Sequence, residues 1–350
     1  METKGKNYMK YYNIPIFVPH KGCPFDCVFC NQKHITGTSD EVTVESVKNT
    51  IKEYLKTLPK DDRYIEAAFF GGSFTGIESD LQELFLSAAY EFVKSGDIDG
   101  IRLSTRPDYI DKEILDRLKK YGVTTIELGV QSLDDKVLEL SGRGHDSKTV
   151  KNAVKLIKEY DFSLGLQMMT GLVGDTDKKS LKTADKIIKL KPDFVRIYPT
   201  LVVKDTYLEK MYNDGRYIPQ SLDGAVELCK KLMIKFKKAN VNVIRVSLQT
   251  TDEISPGGLI VAGPYDAQFR EIVESEIYLD KISKKIKKKK NYFLYVNNKE
   301  ISKAIGRKRK NINYLYDKFG VNIKVIGKDG INTGEFILKE CGKGEGFGCI

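Results

Sequence analysis

The segment NIPIFVPHKGCPFDCVFC, residues 13–30, joins a short apolar run to a loop that holds three of the chain's six cysteines. The run is rich in Ile, Val and Phe and ends at a proline, the pattern of a buried strand. A strand that opens directly into a cluster of thiols places chemistry at its carboxyl end. That is where β/α folds carry their sites, so the question is whether the rest of the chain repeats the same unit.

It does. Six further apolar runs follow, at 64–71, 100–105, 124–130, 162–169, 193–199 and 241–246. Amphipathic helical patterns separate them, such as VTVESVKNTIKEYLKTL and SLKTADKIIKLK. Thr43 is placed to cap the first, and Ser180 falls in the first turn of the second. Alternation of this kind predicts an α/β protein with a parallel sheet covered by helices. Six or seven units predict a partial or closed TIM-like β/α barrel. The loops GGSFTG, STRPDY, GVQS and GRGH would then ring the same mouth as the cysteines.

Composition sets the class. With 41% hydrophobic and 30% charged residues in 350, the chain reads as an ordinary globular protein of two or three domains. It contains no apolar run long enough to span a bilayer, and its first residues do not resemble a secretion signal, so a cytoplasmic location is expected. Thiols stay reduced there, and a dense cysteine cluster reads as metal-binding or catalytic. The charge is uneven. Residues 281–350 carry 18 Lys and Arg against 6 Asp and Glu, a net of +12, while the whole chain is +10. The body is therefore near neutral, and the basic tail calls for either a polyanionic partner or a solvated lysine-rich face.

Cys23, Cys27 and Cys30 form a CxxxCxxC motif. Two chemistries compete for it. Zinc would need a fourth ligand, which His20 or His34 could supply. A 4Fe–4S cluster held by three thiolates leaves one iron open to a small molecule, and Phe25 and Phe29 would shield it from solvent.

The motif and the stretches FFGGSFTGI, IRLSTRPDYID, TTIELGVQSLDDKVLELSGRGH, GLQMMTGLVGD, PDFVRIYPTLVVKDTYLEKMYNDGRY and VIRVSLQTT resemble, in order, the radical SAM core of the Elongator catalytic subunit. That resemblance covers about residues 12–255 and implies a 4Fe–4S cluster on Cys23, Cys27 and Cys30, with S-adenosylmethionine (SAM) as cosubstrate. It implies SAM contacts from Gly71, Gly72, Ser104, Thr105, Arg106, Gln131, Arg143, Gln167 and Met168. It also implies tRNA as substrate and a one-electron donor such as flavodoxin or ferredoxin. The chain departs from the family in the closer spacing of its first two cysteines. The stretch beyond residue 260 is also too short for the family's acetyltransferase domain.

Residues 266–290 read as a helix running into lysines, a basic linker. Residues 291–340 read strand, helix, turn, helix, strand, a βααβ pattern that resembles a KH domain. KH modules clamp single-stranded nucleic acid with a GXXG turn. Here the turn is Gly306-Arg307-Lys308-Arg309, flanked by Lys303 and Lys310, and its second glycine is missing. These six residues are the candidate RNA contacts; a plain packing module is the alternative. Cys341 and Cys349 read as free cysteines of a Gly-rich tail (341–350), and Cys229 as core. The reading is thus a radical SAM enzyme of residues 1–265 with an RNA-binding appendage. The alternatives are a small-molecule radical SAM enzyme of the coproporphyrinogen-dehydrogenase kind, or a non-catalytic RNA-binding protein with a structural cluster.

Overall fold

The computed structural model describes residues 10–18, 27–30, 42–248, 258–287 and 290–341. Seven parallel strands form one sheet: Lys10–Val18 (β1), Arg63–Gly71 (β2), Gly100–Thr105 (β3), Val123–Gln131 (β4), Ser163–Thr170 (β5), Phe194–Pro199 (β6) and Asn242–Val246 (β8). They lie in sequence order, each beside its predecessor, with β1 and β8 at the two edges. All seven predicted strands are present. The barrel is partial rather than closed, and a short antiparallel pair, Val202–Val203 (β7) with Ile260–Ala262 (β9), lies apart from the sheet.

The two faces of the sheet are chemically distinct. Phe69 of β2 stacks on Phe85 of the helix Ser79–Ser95, so its face is the helix-covered one. Ile65 and Ala67 share that face and are fully buried with it. Phe70 points the other way, and the Arg196 guanidinium of β6 lies 5.5 Å from its ring centroid. Four strand spacings separate β2 from β6, roughly 19 Å in a flat sheet. The contact therefore requires the sheet to curl, as a half-barrel does.

Side chains fix the helix starts. Thr43 and Ser46 form a reciprocal capping box on the helix Val44–Thr57, as its sequence predicts. Asp111, Asp134 and Asp146 each accept a backbone N–H at the start of the helices Lys112–Lys120, Asp135–Leu140 and Ser147–Lys158. Ser180 lies in the opening turn of the helix Asp177–Lys189, whose cap is Thr176. No helix among the described residues is long and apolar enough to cross a membrane.

The chain divides into two compact units, the second comprising Leu222–Met233 and the residues from Asp266 onward. The stretch read as a linker carries the helix Phe269–Ser283, whose Tyr278, Leu279 and Ile282 join the core of this second unit. Its apolar positions pack, so it is structural as far as Ser283. The strand Tyr292–Val296 (β10) pairs in parallel with Ile323–Gly327 (β11) and antiparallel with Phe336–Glu340 (β12). The third strand was not foreseen, although Phe336 and Leu338 alternate with Ile337 and Lys339 in its sequence. Cys229 is fully buried, and burial pushes its thiol up to about 12, as inert core cysteine requires.

Candidate active site

Cys27 and Cys30 lie in one turn, where the Cys30 N–H donates to the Cys27 carbonyl at 2.9 Å. Cys23, His20 and His34 lie outside the described residues. The turn is held from two sides. The Val28 N–H donates to the Ser141 carbonyl at 3.1 Å, just after the helix Asp135–Leu140. The Val28 carbonyl accepts from Leu208, in the helix Tyr207–Asn213, at 2.6 Å. Val28 also packs with Val202, Leu208 and Tyr217. Segments far apart in sequence thus fix the cysteine backbone.

Two buried guanidinium groups converge on Cys27. Arg143, 6% exposed, donates from Nη1 to its sulfur at 3.2 Å and from Nη2 to the Gly129 carbonyl at 2.6 Å. Its Nε is buried without a partner, and no carboxylate pairs with it among the described residues. Arg106, 3% exposed, sits 4.0 Å from the same sulfur, pairs with Asp108 at 2.9 Å and donates to the Arg143 carbonyl at 2.5 Å. A buried cation without its own anion is costly. Arg143 is therefore a built receptor for negative charge, whether thiolate or carboxylate.

His145 completes this corner. Its Nε2 lies 3.3 Å from Arg143 Nη2. Burial first, and Arg143 second, push its pKa from the ordinary 6.5 down to about 4. The ring is neutral at physiological pH and so accepts from Arg143. The sign of the linkage follows: between pH 6.5 and 4 the unfolded chain binds this proton and the folded one does not. The stabilisation is complete above that window and drains away as pH falls through it. His145→Gln is expected to flatten the loss of melting temperature across this window relative to the parent; thermal unfolding at stepped pH measures it.

The remaining predicted residues divide by strand parity. Ser104 and Gln167 look into the concave side, joined by a 3.4 Å hydrogen bond. Their neighbours Thr105 and Met168 do not. Thr105 is 4% exposed and shares a 2.5 Å hydroxyl contact with Thr75, and Met168 is fully buried on the face of Leu164 and Leu166. Consecutive strand residues point to opposite faces, so the Thr105 and Met168 side chains lie on the helix-covered face. Gln131 holds a left-handed φ of 61° at an irregularity in β4, and its Oε1 is buried without a partner. Gly129 lies beneath it; a Cβ there would stand 3.0 Å from Gln131 Nε2 and 3.5 Å from Arg143 Nη2. Gly71 turns at φ 100° at the end of β2, a conformation that favours glycine, and Gly72 behind it is buried.

Below this mouth runs a chain of buried ions that sequence reading missed. Arg102 bridges Glu66 at 2.6 Å and Glu127 at 2.9 Å, and Arg196 holds Glu127 at 2.6 Å. Thr124 and Thr125 donate to Glu66, and Gln167 donates to Glu127 at 3.1 Å. Tyr198 follows two residues later on β6, and desolvation raises the pKa of its hydroxyl. The signal was present: β3, β4 and β6 each carry one charged residue among apolar ones, at GIRLST, TIELG and FVRIYP, and β2 sets Glu66 amid its apolar run.

In the second unit the basic turn is partly engaged. Arg307 pairs with Asp266 at 2.7 Å, Lys310 with Glu276 at 2.7 Å and Lys303 with Glu274 at 2.6 Å. Lys308 and Arg309 take left-handed φ values of 50° and 62°. Gly306 is irreplaceable in its place: at φ 78° a Cβ would stand 2.9 Å from the Asn311 backbone nitrogen.

With this geometry in hand, the comparisons with known proteins can be set beside it. The sequence matches the radical SAM superfamily over residues 17–187 and the Radical_SAM C-terminal domain over residues 192–278. It is 30% identical over 237 residues to a tRNA uridine(34) acetyltransferase of Dehalococcoides mccartyi, spanning 60% of this chain and 50% of that one. It is 31% identical over 201 residues to Elongator complex protein 3 of Saccharomyces cerevisiae, 52% of this chain and 37% of that one. The chain thus spans half or less of the length of these curated relatives. Among solved structures, the archaeal Elp3 of Methanocaldococcus infernus with residues 1–46 deleted shares the fold. Its TM-score is 0.61 at 22% identity, over 79% of this chain and 64% of that one.

Proposed function

The chain belongs to the radical SAM superfamily, and from that premise we propose that it reductively cleaves SAM at a 4Fe–4S cluster to modify RNA, with tRNA as the substrate class. One observation carries the SAM reading: buried, carboxylate-free Arg143 lies 3.2 Å from the Cys27 sulfur. A cation so placed fits a cluster thiolate and the carboxylate of a cosubstrate beside it. Cys23, Cys27 and Cys30 would hold the cluster, which, once reduced by a one-electron donor, would supply the electron for reductive cleavage of SAM to methionine and a 5′-deoxyadenosyl radical. The protein's own part is positioning. Arg143 binds carboxylate, with His145 steadying its guanidinium. Gln131 offers its free Oε1 to a donor on the ribose or the amino group. Gly71 and Gly72 let a ligand approach the backbone closely. Ser104, Arg106 and Gln167 line the same side. Thr105 and Met168 contribute through backbone alone, because their side chains face the helices.

The relatives' names support RNA as the substrate, and the basic second unit supplies a surface for it. Within the turn, Gly306, Lys308 and Arg309 are the phosphate contacts. Lys303, Arg307 and Lys310 are held by carboxylates that RNA would have to displace. A one-electron donor such as flavodoxin or ferredoxin and a cytoplasmic setting complete the reading.

The test is 5′-deoxyadenosine formation by anaerobically reconstituted protein with SAM and dithionite, with and without total tRNA. A rise on adding tRNA is expected. Cleavage indifferent to tRNA would replace RNA by a small molecule. No cleavage from protein shown to hold its cluster would overturn the reading.

A further inference from the structure

The outward face of the three-stranded sheet in the second unit is aromatic and basic. Along β10, Tyr292, Leu294 and Val296 are buried in the unit's core. Strand alternation therefore turns Phe293 and Tyr295 to the opposite face, where both remain partly exposed. Register places Phe293 between Lys324 of β11 and Lys339 of β12, and Tyr295 between Ile326 and Ile337. Two rows cross the sheet, Lys-Phe-Lys and Ile-Tyr-Ile. The two rings lie 6.4 Å apart, and Lys328 Nζ stands 5.6 Å over the Tyr295 ring. Ile337 is 52% exposed. None of the six positions carries a carboxylate.

This face is distinct from the basic turn. The turn belongs to the helical layer, whose Ala304, Ile312 and Leu315 cover the sheet's inner side. A face that met only water would place polar residues at these positions. Two adjacent rings flanked by lysines match a different partner. Unpaired bases stack on aromatic side chains of an open sheet, and cations take up the backbone phosphates.

We propose that this sheet face binds single-stranded RNA, stacking bases on Phe293 and Tyr295 and meeting phosphates with Lys324, Lys328 and Lys339. The proposal rests on the RNA reading above and adds a second surface to it. One strand could then run from the turn on the helical side to the rings on the other, or each surface could take its own segment.

The experiment uses the full chain and a labelled, unstructured oligoribonucleotide, with binding followed by fluorescence anisotropy over a range of salt. Tyr295→Leu and Phe293→Leu are each expected to weaken binding by about tenfold or more, while Tyr295→Phe keeps the parent affinity. Lys324→Gln with Lys339→Gln is expected to lower the slope of log affinity against log salt by about 1.4. Thermal unfolding of each variant checks that the unit is intact. Lys308→Gln with Arg309→Gln is run beside them. A folded Tyr295→Leu that binds like the parent overturns the sheet-face proposal and leaves the turn as the RNA site. A parent chain that dimerises, with Tyr295→Leu monomeric, overturns it too, because the face is then a self-interface. A parent that binds no RNA at all overturns the RNA reading itself.

Discussion

Replacing Cys27 with alanine is expected to yield protein without its cluster and without 5′-deoxyadenosine formation, whereas Arg143→Gln keeps the cluster and loses SAM. The two residues touch, at 3.2 Å, yet their roles separate. Cys27 is one of the three thiols in the motif, so its loss removes one of the three proposed ligands. Among the described residues, the other cysteines are Cys30, which is already in the motif, buried Cys229 and Cys341. Arg143 contributes charge. Glutamine can still hydrogen-bond Gly129 but offers no cation to a carboxylate. Hydrogen bonds to charged groups contribute roughly 1.5–3 kcal/mol, so SAM affinity should fall about ten- to a hundredfold. Iron content and SAM binding by equilibrium dialysis, measured on the same reconstituted samples, read the two effects apart. An Arg143→Gln protein that binds SAM like the parent would show that this guanidinium serves only the protein's own packing.

Glu127→Gln should be among the most destabilising single changes in the half-barrel. Glu127 is fully buried and accepts from Arg102, Arg196 and Gln167 at once. Arg102 keeps Glu66 if Glu127 is neutralised. Arg196 loses its carboxylate partner. Breaking a buried pair from one side costs about 3–5 kcal/mol, because the other charge stays buried and unpaired. For a domain of this size that corresponds to a fall in melting temperature of roughly 10 °C. Removing both partners, in Glu127→Gln with Arg196→Met, should cost less than the two single changes added together, since the second deletion relieves the stranded charge. Differential scanning fluorimetry of the four proteins closes the cycle. A Glu127→Gln protein that melts with the parent would mean that water reaches this face and screens it.

Much of this was legible from residues alone. Strands and helices alternate in the sequence because each strand must be apolar to lie under helices, and each helix amphipathic to cover it. That fixed the parallel sheet and placed the cysteine loop at its carboxyl end. The motif around Cys23, Cys27 and Cys30 pointed to a metal centre, zinc or iron–sulfur, and the resemblance of the surrounding stretches chose the cluster. The basic tail and its turn were equally visible, because charge and glycine are local properties.

Tertiary structure decided what depends on distance through space. Only the curl of the sheet brings Arg196 to Phe70 across four strand spacings, and strand order and register join Glu66, Arg102, Glu127 and Arg196 into one chain. Arg143 and Cys27 lie 116 residues apart in sequence, so no local pattern shows that one serves the other. Strand parity turned the Thr105 and Met168 side chains toward the helices, and register assembled the rows around Phe293 and Tyr295. Glu274 and Glu276 of a preceding helix, and Asp266 just before it, took three of the cations in and beside the turn. Composition and periodicity set which elements form, because those preferences act between near neighbours. Which side chains meet is set by how the elements pack, and that is a property of the whole fold.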